Sequence, residues 1–468
     1  MSLPDAPMSA AAIAGAVRAR TMTATSVATD ALRRIEARNT ALNAYTSVLA
    51  DRALAEAHAV DAAIADGRDA GALAGVPYGV KSLFDVAGLC TRAGSIINRA
   101  LPPARQDAML VRRMAQHGAV LLGTQTMDEY AYGFTTENAH DGTTRNPHDT
   151  SRVAGGSSGG SAASVAAGLG AVALGSDTNG SIRVPASFCG VFGLKPTYGR
   201  LPRSGAFPFV FDLDHVGPLA RSTEDLALVY DALQGADPDD PACAGRAPEP
   251  VMPQLGQFPS DLRIGILDGW FHDKANEDAR AAVAQVADAL GAVTRVSLPG
   301  AEAARAGAFL MTAAQGANLH LANLRARAWD FDPATRDRLL AGALLPASFV
   351  LQAQRVRRWF SDQAAEVFRA FDILLAPATP CHATRIGQET LELDGHSHPV
   401  RPSLGLLTQP LSFIGLPVVC VPVCRTGNLP IGVQLIAAPW REALALQVSA
   451  RLELVGAVGD LRKSAVLF

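Results

Sequence analysis

Three residues in this chain have the types and surroundings for nucleophilic chemistry at a carbonyl carbon: Lys81, Ser157 and Ser181. Ser157 lies in Gly155-Gly156-Ser157-Ser158-Gly159-Gly160-Ser161, and Ser181 closes Ser176-Asp177-Thr178-Asn179-Gly180-Ser181. A serine hydroxyl is a weak nucleophile until a base removes its proton. Glycine lets backbone N–H groups come close to a reacting carbonyl oxygen. Lys81 ends the apolar run Val76-Pro77-Tyr78-Gly79-Val80 and has few charged neighbours. Burial there disfavours the ammonium, lowers the lysine pKa and makes it a candidate base. Taken singly, each element has a plainer reading: a snorkelling surface lysine, a polar turn, a glycine-rich loop.

The loop does not fit the phosphate-binding patterns. A Walker loop ends in Gly-Lys-Ser/Thr, and this one has Gly160-Ser161 without lysine. A dinucleotide fingerprint fits poorly, because no acidic partner is convincingly placed. The N–H groups of Thr178, Asn179 and Gly180 could instead line an anion hole, where one donor is worth roughly 3–4 kcal/mol of barrier in a serine hydrolase. The ten histidines are scattered, which gives a Ser-His-Asp triad little support.

The 468 residues are 49% apolar with a net charge of -3, which supplies a large core and argues against a strongly basic nucleic-acid or membrane surface. Residues 155–176 carry no charge, but they are mostly Gly, Ala and Ser and too weakly hydrophobic for a membrane span. The six cysteines form no C-x-x-C pair and show no metal spacing, as expected of small buried residues in a reducing compartment. The opening MSLPDAPMSAAAIAG lacks a basic segment followed by a solid apolar run, so a cytoplasmic protein is expected.

The elements that must position these residues alternate between helix and strand. Residues 8 to about 65 read as helices, one of them capped by Thr23 or Ser26. A short buried strand leads into Lys81, and AVLLG and AVALGSD are strands joined through helical stretches. Residues 235–259 hold six prolines and read as a loop or linker. LRIGILD, AVTRVSLP, DILLAPAT, LPVVCVPV and LPIGVQLIA read as strands beyond it, and 302–371 as a mostly helical insert. Strands on both sides of the linker share one buried α/β character, which favours one continuous sheet.

Read together, these segments resemble the amidase signature family. Gly75-Val76-Pro77-Tyr78-Gly79-Val80-Lys81 resembles its lysine segment, and the two serine runs with Ile182-Arg183 resemble its signature core. Cys189-Gly190-Val191-Phe192-Gly193-Leu194-Lys195-Pro196-Thr197 continues the match, which extends over nearly the whole chain. The resemblance implies an α/β fold: a single large mixed twisted sheet covered by helices on both faces. It divides the chain into an N-terminal helical segment, 1–65, packing on a signature domain, 66–468. It makes Ser181 the nucleophile, Ser157 (at a cis peptide in relatives) the proton relay, and Lys81 the neutral base. Thr178, Asn179 and Gly180 would form the oxyanion hole, Ser158 and Asp177 would support the loop, and Arg183 would fix the turn behind the nucleophile. Many relatives carry glycine where this chain has Asn179, and asparagine tolerates left-handed backbone better than most residues. The mechanism needs no metal or organic cofactor.

The runs from Met127 to Asn138, Asp214 to Pro218 and Gly405 to Pro410, with Asn179, look like the biuret/carboxybiuret hydrolase branch, which is similar to the A component of glutamyl-tRNA amidotransferase. That branch implies release of ammonia from a small urea-derived amide, carboxybiuret or biuret. Relatives there associate with a small helical subunit, and a homodimer is the other expected association. A nucleic-acid partner and a membrane are not expected. Candidate substrate contacts are Met127, His215, Gln315, His320, Arg325 and Arg327, with arginine suited to a carboxylate by paired hydrogen bonds. Two rival readings are an amidotransferase component that passes ammonia to an acylated tRNA, and a non-catalytic assembly component that keeps the fold.

Overall fold

Apolar runs closed by turn residues become the strands of one sheet. In the computed structural model, which describes residues 7–459 apart from 394 and 426, eleven strands pair into it. Residues 1–6, the start of the segment read for a leader, and 460–468, the end of the expected second segment, lie outside the described residues. In chain order the strands are β1 (Tyr45–Val48), β2 (Pro77–Lys81), β3 (Val120–Gln125), β4 (Val172–Asp177), β5 (Phe192–Lys195) and β6 (His215–Ala220). They continue with β7 (Ile264–Leu267), β8 (Thr294–Val296), β9 (Ile373–Pro377), β10 (Val418–Val423) and β11 (Ile431–Ala437). Across the sheet the order is β1-β3-β2-β4-β6-β5-β10-β11-β9-β7-β8.

The sheet is mixed. β2 runs parallel to β3 and β4, and β7 runs parallel to β8 and β9, while the remaining neighbours are antiparallel. Every residue of β2 to β6 and of β9 to β11 is buried, so both faces of the sheet are covered. β7 and β8 follow the Pro-rich stretch yet join the same sheet, as expected from the shared character of the strands.

The N-terminal segment is not wholly helical. Ser9 and Thr23 cap helices Ala10–Arg18 and Ala24–Leu42, and a third helix covers Ala50–Ala65. Between the last two lies β1, the edge strand beside β3. The change of structure is local. Asn43 turns left-handed at φ 52, and Asn39 Oδ1 accepts the N–H groups of Ala44 and Tyr45. That ends the helix and sends Tyr45-Thr46-Ser47-Val48, rich in strand-forming side chains, onto the sheet.

β6 was hidden by its composition, because Gly217 and Pro218 normally argue against a central strand. It nevertheless pairs with β4 from His215 opposite Asp177 to Ala220 opposite Val172. The stretch read as a mostly helical insert holds helices Ala301–Arg327, Pro333–Ala343 and Ala347–Ala370. Among the described residues no single helix is long and apolar enough to cross a membrane.

This topology places the candidate chemistry. β2 and β4 are parallel neighbours, ending at Lys81 and at Ser176-Asp177. Two loops meet at those strand ends, one before helix Gly159–Ala166 and one before helix Arg183–Cys189. Carboxyl ends of parallel strands are where open α/β sheets gather their sites.

Candidate active site

Lys81 Nζ lies 2.6 Å from Ser157 Oγ and 2.9 Å from Ser176 Oγ, and all three residues are buried. Burial pulls the Lys81 amine down to about 7, against the opposing influence of Asp128, Asp177 and Asp214. A lysine in that state is neutral often enough near neutral pH to accept a proton. The peptide between Gly156 and Ser157 is cis. Ser158 joins the two serine loops: its N–H donates to the Ser181 carbonyl at 3.2 Å, and its hydroxyl donates to the Ser176 carbonyl at 3.1 Å.

The turn that presents Ser181 is wired to Asp177. The Asp177 carboxylate accepts the N–H groups of Gly180 at 2.7 Å and Ile182 at 3.2 Å. Arg183 donates to it from Nε at 2.9 Å and from Nη2 at 3.0 Å. Burial alone would raise the Asp177 pKa, but the Arg183 guanidinium outweighs it and holds the carboxyl below the usual range. Arg183 Nη1 reaches Gln434 Oε1 at 2.7 Å, and its Nη2 also donates to Ser412. Arg183 thus ties the turn to Gln434 and Ser412.

This wiring bears on the candidate anion hole. The Gly180 N–H is engaged by Asp177 Oδ1, whereas among the described residues those of Thr178 and Asn179 carry no hydrogen bond. The positive backbone angle falls on Gly180, at φ 135, and not on Asn179. A Cβ at Gly180 would stand 2.1 Å from Thr408 Oγ1, so only glycine fits there. Asn179 uses its side chain instead: Nδ2 donates to Thr312 Oγ1 at 2.8 Å, and Thr408 Oγ1 donates to its carbonyl at 2.7 Å.

Ser181 lines a narrow cavity with Thr178, Asn179, Thr312, Arg338 and Gln409. Arg338, on helix Pro333–Ala343, donates to the Tyr132 carbonyl at 2.9 Å and lies over the Tyr132 ring, 3.5 Å from its centroid. Its guanidinium is the one that lines this cavity. Arg325 and Arg327 are exposed in the last turn of helix Ala301–Arg327, where Arg327 pairs with Asp330 at 2.8 Å. Helical periodicity turns them to solvent, and neither lines the Ser181 cavity.

The other candidate contacts also lie apart from Ser181. His320 packs among Tyr130, Phe207 and Phe331, where burial lowers its pKa to about 4. Gln315 donates to Asp212 at 2.7 Å on an outer cleft. Met127 is buried, and its carbonyl accepts the Asn138 amide at 2.9 Å. His215 Nδ1 is 3.0 Å from the Asp177 carbonyl and 2.6 Å from that of Leu213. Its ring lines a second cavity, of about 210 Å³, that reaches Ser176 and Thr178.

Sequence reasoning missed Arg338, Thr312 and the part played by Ser176. Nothing in Pro333-Ala334-Thr335-Arg336-Asp337-Arg338 distinguishes the second arginine from a surface one. Ser176 could have been found: in a strand ending at Ser176-Asp177, alternate side chains face opposite sides of the sheet.

The Amidase family model matches residues 26–446. The chain is 55% identical over 446 residues to AtzE, a 1-carboxybiuret hydrolase component of Pseudomonas sp. (strain ADP), covering 95% of this chain and 97% of the relative. It is 37% identical over 477 residues to the A component of the glutamyl-tRNA(Gln) amidotransferase of Carboxydothermus hydrogenoformans, covering 95% and 96%. A solved structure described as an unexpected vestigial protein complex, bearing on the origins of an s-triazine catabolic enzyme, superposes with a TM-score of 0.95 at 54% identity. That match covers 96% of this chain and 99% of the other. A bacterial aryl acylamidase superposes with a TM-score of 0.89 at 27% identity, covering 98% of each chain.

Proposed function

Because the chain belongs to the amidase signature family and is an amide hydrolase, we propose that it releases ammonia from a small carboxylated urea-type amide, 1-carboxybiuret ahead of biuret. The observation that carries this reading is Arg338, whose guanidinium shares one narrow cavity with Ser181, Thr178 and Asn179. A guanidinium fork suits a carboxylate, and its place beside the candidate nucleophile suits a substrate only a few atoms long. The 55% identity to a 1-carboxybiuret hydrolase component supports the same substrate.

The cycle begins with neutral Lys81 taking the Ser157 proton while Ser157 takes that of Ser181. Ser181 Oγ attacks the terminal amide carbon, and the carbonyl oxygen becomes an oxyanion facing the N–H groups of Thr178 and Asn179. The C–N bond breaks as the proton returns along the relay to the leaving nitrogen, giving ammonia and an acyl-enzyme. Water then attacks the acyl carbon, its proton passing to the same relay, and Ser181 is freed as a new carboxyl group leaves.

A partner protein, expected to be small and helical, belongs to this reading. The relative is named as one component of a hydrolase, and the superposing structure is described as a protein complex. The cytoplasm is the proposed location.

The test is ammonia release by the purified chain, alone and with any small helical protein encoded by a neighbouring gene. The panel is 1-carboxybiuret, biuret, allophanate and glutamine. Highest kcat/KM on 1-carboxybiuret is expected. Turnover of glutamine alone would replace this reading with that of an amidotransferase component.

A further inference from the structure

One buried carboxylate beside the relay has no part in the cycle above. Asp128 is 4% exposed and follows Met127 in the segment that flanks the Ser181 cavity. Its oxygens accept the Thr136 N–H at 3.1 and 3.0 Å. The Thr136 hydroxyl in turn donates to the Gly155 carbonyl at 2.9 Å and accepts the Gly159 N–H at 3.2 Å. Asp128 and Thr136 thus hold both ends of the loop that has Ser157 at its middle. The fit is close: a Cβ at Gly156 would stand 2.1 Å from Asp128 Oδ2, and one at Gly133 would stand 2.2 Å from Oδ1. Both glycines are what allow the carboxylate to lie there.

The charges around Lys81 separate Asp128 from the other acids. Asp128, Asp177 and Asp214 all favour its protonated form. Asp177 is bonded to Arg183 and is also faced by Lys195 and His215. Asp214 accepts the Thr178 hydroxyl at 2.6 Å and the N–H groups of Phe209 and Val210, and it faces Arg203. Asp128 is faced by Arg401, Lys81 and Asp332, and it acts in turn on Arg338. Among the described residues neither Asp128 nor Asp214 has a hydrogen bond from a cationic side chain to its carboxylate, and of the three acids Asp128 acts most strongly in favour of the protonated lysine.

We propose that Asp128 is a positioning residue of the proton relay, clamping the Ser157 loop through Thr136 and stabilising the proton on Lys81 once the lysine has taken it. The proton moves from Ser181 through Ser157 to Lys81, and Asp128 stays a carboxylate throughout. A proton taken up by an amine in a dry site needs a counter-charge fixed in advance. Burial raises the Asp128 carboxyl to about 6, so it is ionised in the range where neutral Lys81 is available.

This proposal rests on the Lys81 relay and fails separately from it. The experiment is the pH dependence of kcat/KM for the wild type, Asp128→Asn and Thr136→Val, in whatever oligomeric form is active. Asparagine keeps an acceptor for the Thr136 N–H, removes the charge and exchanges one carboxylate oxygen for an amide NH2. The acid limb of Asp128→Asn is expected to move down by roughly half a pH unit or more, because an opposite charge no longer supports the ammonium. Its plateau kcat is expected to fall at least about tenfold. Thr136→Val keeps the charge and loses the hydroxyl bridge, so its kcat should fall with the acid limb in place. If Asp128→Asn does not fold, Asp128→Ser, which removes bulk, reads the same shift. An acid limb unmoved in the charge-free variant overturns the proposal, whether or not the rate falls. Wild-type activity in Lys81→Ala would instead overturn the relay.

Discussion

Asn179 Nδ2 donates to Thr312 Oγ1 at 2.8 Å, tying the turn before Ser181 to the long helix Ala301–Arg327. The bond joins the signature core to the helical insert at the wall of the candidate substrate cavity. The Asn179 Oδ1 atom is buried, and no protein donor reaches it among the described residues. On the proposed reading, this oxygen accepts an N–H group of the urea-type substrate. Asn179→Gly removes the tether and the acceptor without straining the turn. A lost hydrogen bond of about 1–1.5 kcal/mol corresponds to a fall in kcat/KM of roughly five- to tenfold. Steady-state kinetics on 1-carboxybiuret check this. Thr312→Val should reproduce the part of the loss that comes from the tether.

If Lys81 is the base of the proposed cycle, it sets a pH dependence. Burial, first among the causes, brings its amine down to about 7, so the neutral form grows as pH rises through that value. Hydrolysis should therefore show an acid limb near pH 7, with kcat/KM rising tenfold per unit below it. Lys81→Ala and Ser181→Ala should each abolish turnover while leaving the fold intact by circular dichroism. Ammonia release by a folded Ser181→Ala variant would remove that serine from the role of nucleophile.

Lys81, Ser157 and Ser181 of the candidate site were legible because they sit in contiguous runs. Glycine-rich serine loops and a lysine in an apolar strand are local signals, and the fold brings them together at the ends of β2 and β4. Arg338 was not legible for the opposite reason. It reaches the cavity only because helix Pro333–Ala343 packs against the Tyr132 segment, about two hundred residues away in the chain. Arg325 and Arg327 are as cationic and as helical, and no local pattern ranks them below Arg338. The β6 strand was concealed by Gly217 and Pro218, whose local propensity is overridden by pairing on both sides. The helical reading of the N-terminal segment missed β1, because four residues between two long helices are too few for a periodicity to register.

Arg338 should determine preference for a carboxylate. Arg338→Gln keeps a hydrogen-bonding side chain and loses the charge. Charge-assisted hydrogen bonds are worth roughly 1.5–3 kcal/mol, so KM for 1-carboxybiuret should rise about ten- to a hundredfold. Neutral biuret should lose far less, and the ratio of kcat/KM values for the two substrates reports the contact directly. Arg325→Ala and Arg327→Ala, both at solvent, should leave that ratio unchanged. An unchanged ratio in Arg338→Gln would remove the carboxylate from its proposed partner.

The Asp177–Arg183 pair should govern the stability of the site and its response to acid. Both side chains are fully buried, and the pair is closed by the Gly180 and Ile182 N–H groups, Gln434 and Ser412. Removing one partner of such a pair leaves a buried charge uncompensated and typically costs about 3–5 kcal/mol. Arg183→Met should lower the midpoint of urea unfolding accordingly at pH 8. With the arginine present, the folded-state Asp177 pKa is depressed below its unfolded value. Its contribution is then present above the unfolded pKa and is lost as pH falls through the folded one. Without the arginine, burial dominates and raises the same carboxyl, so Asp177 takes up a proton and becomes neutral as pH falls. The stability gap between Arg183→Met and the wild type should therefore be smaller at pH 5 than at pH 8. Replacing both residues in Asp177→Leu/Arg183→Met should recover much of the gap at pH 8 while leaving the Ser181 turn without its scaffold and the chain inactive. A gap that does not change with pH would show that packing, and not the buried charge, accounts for the loss.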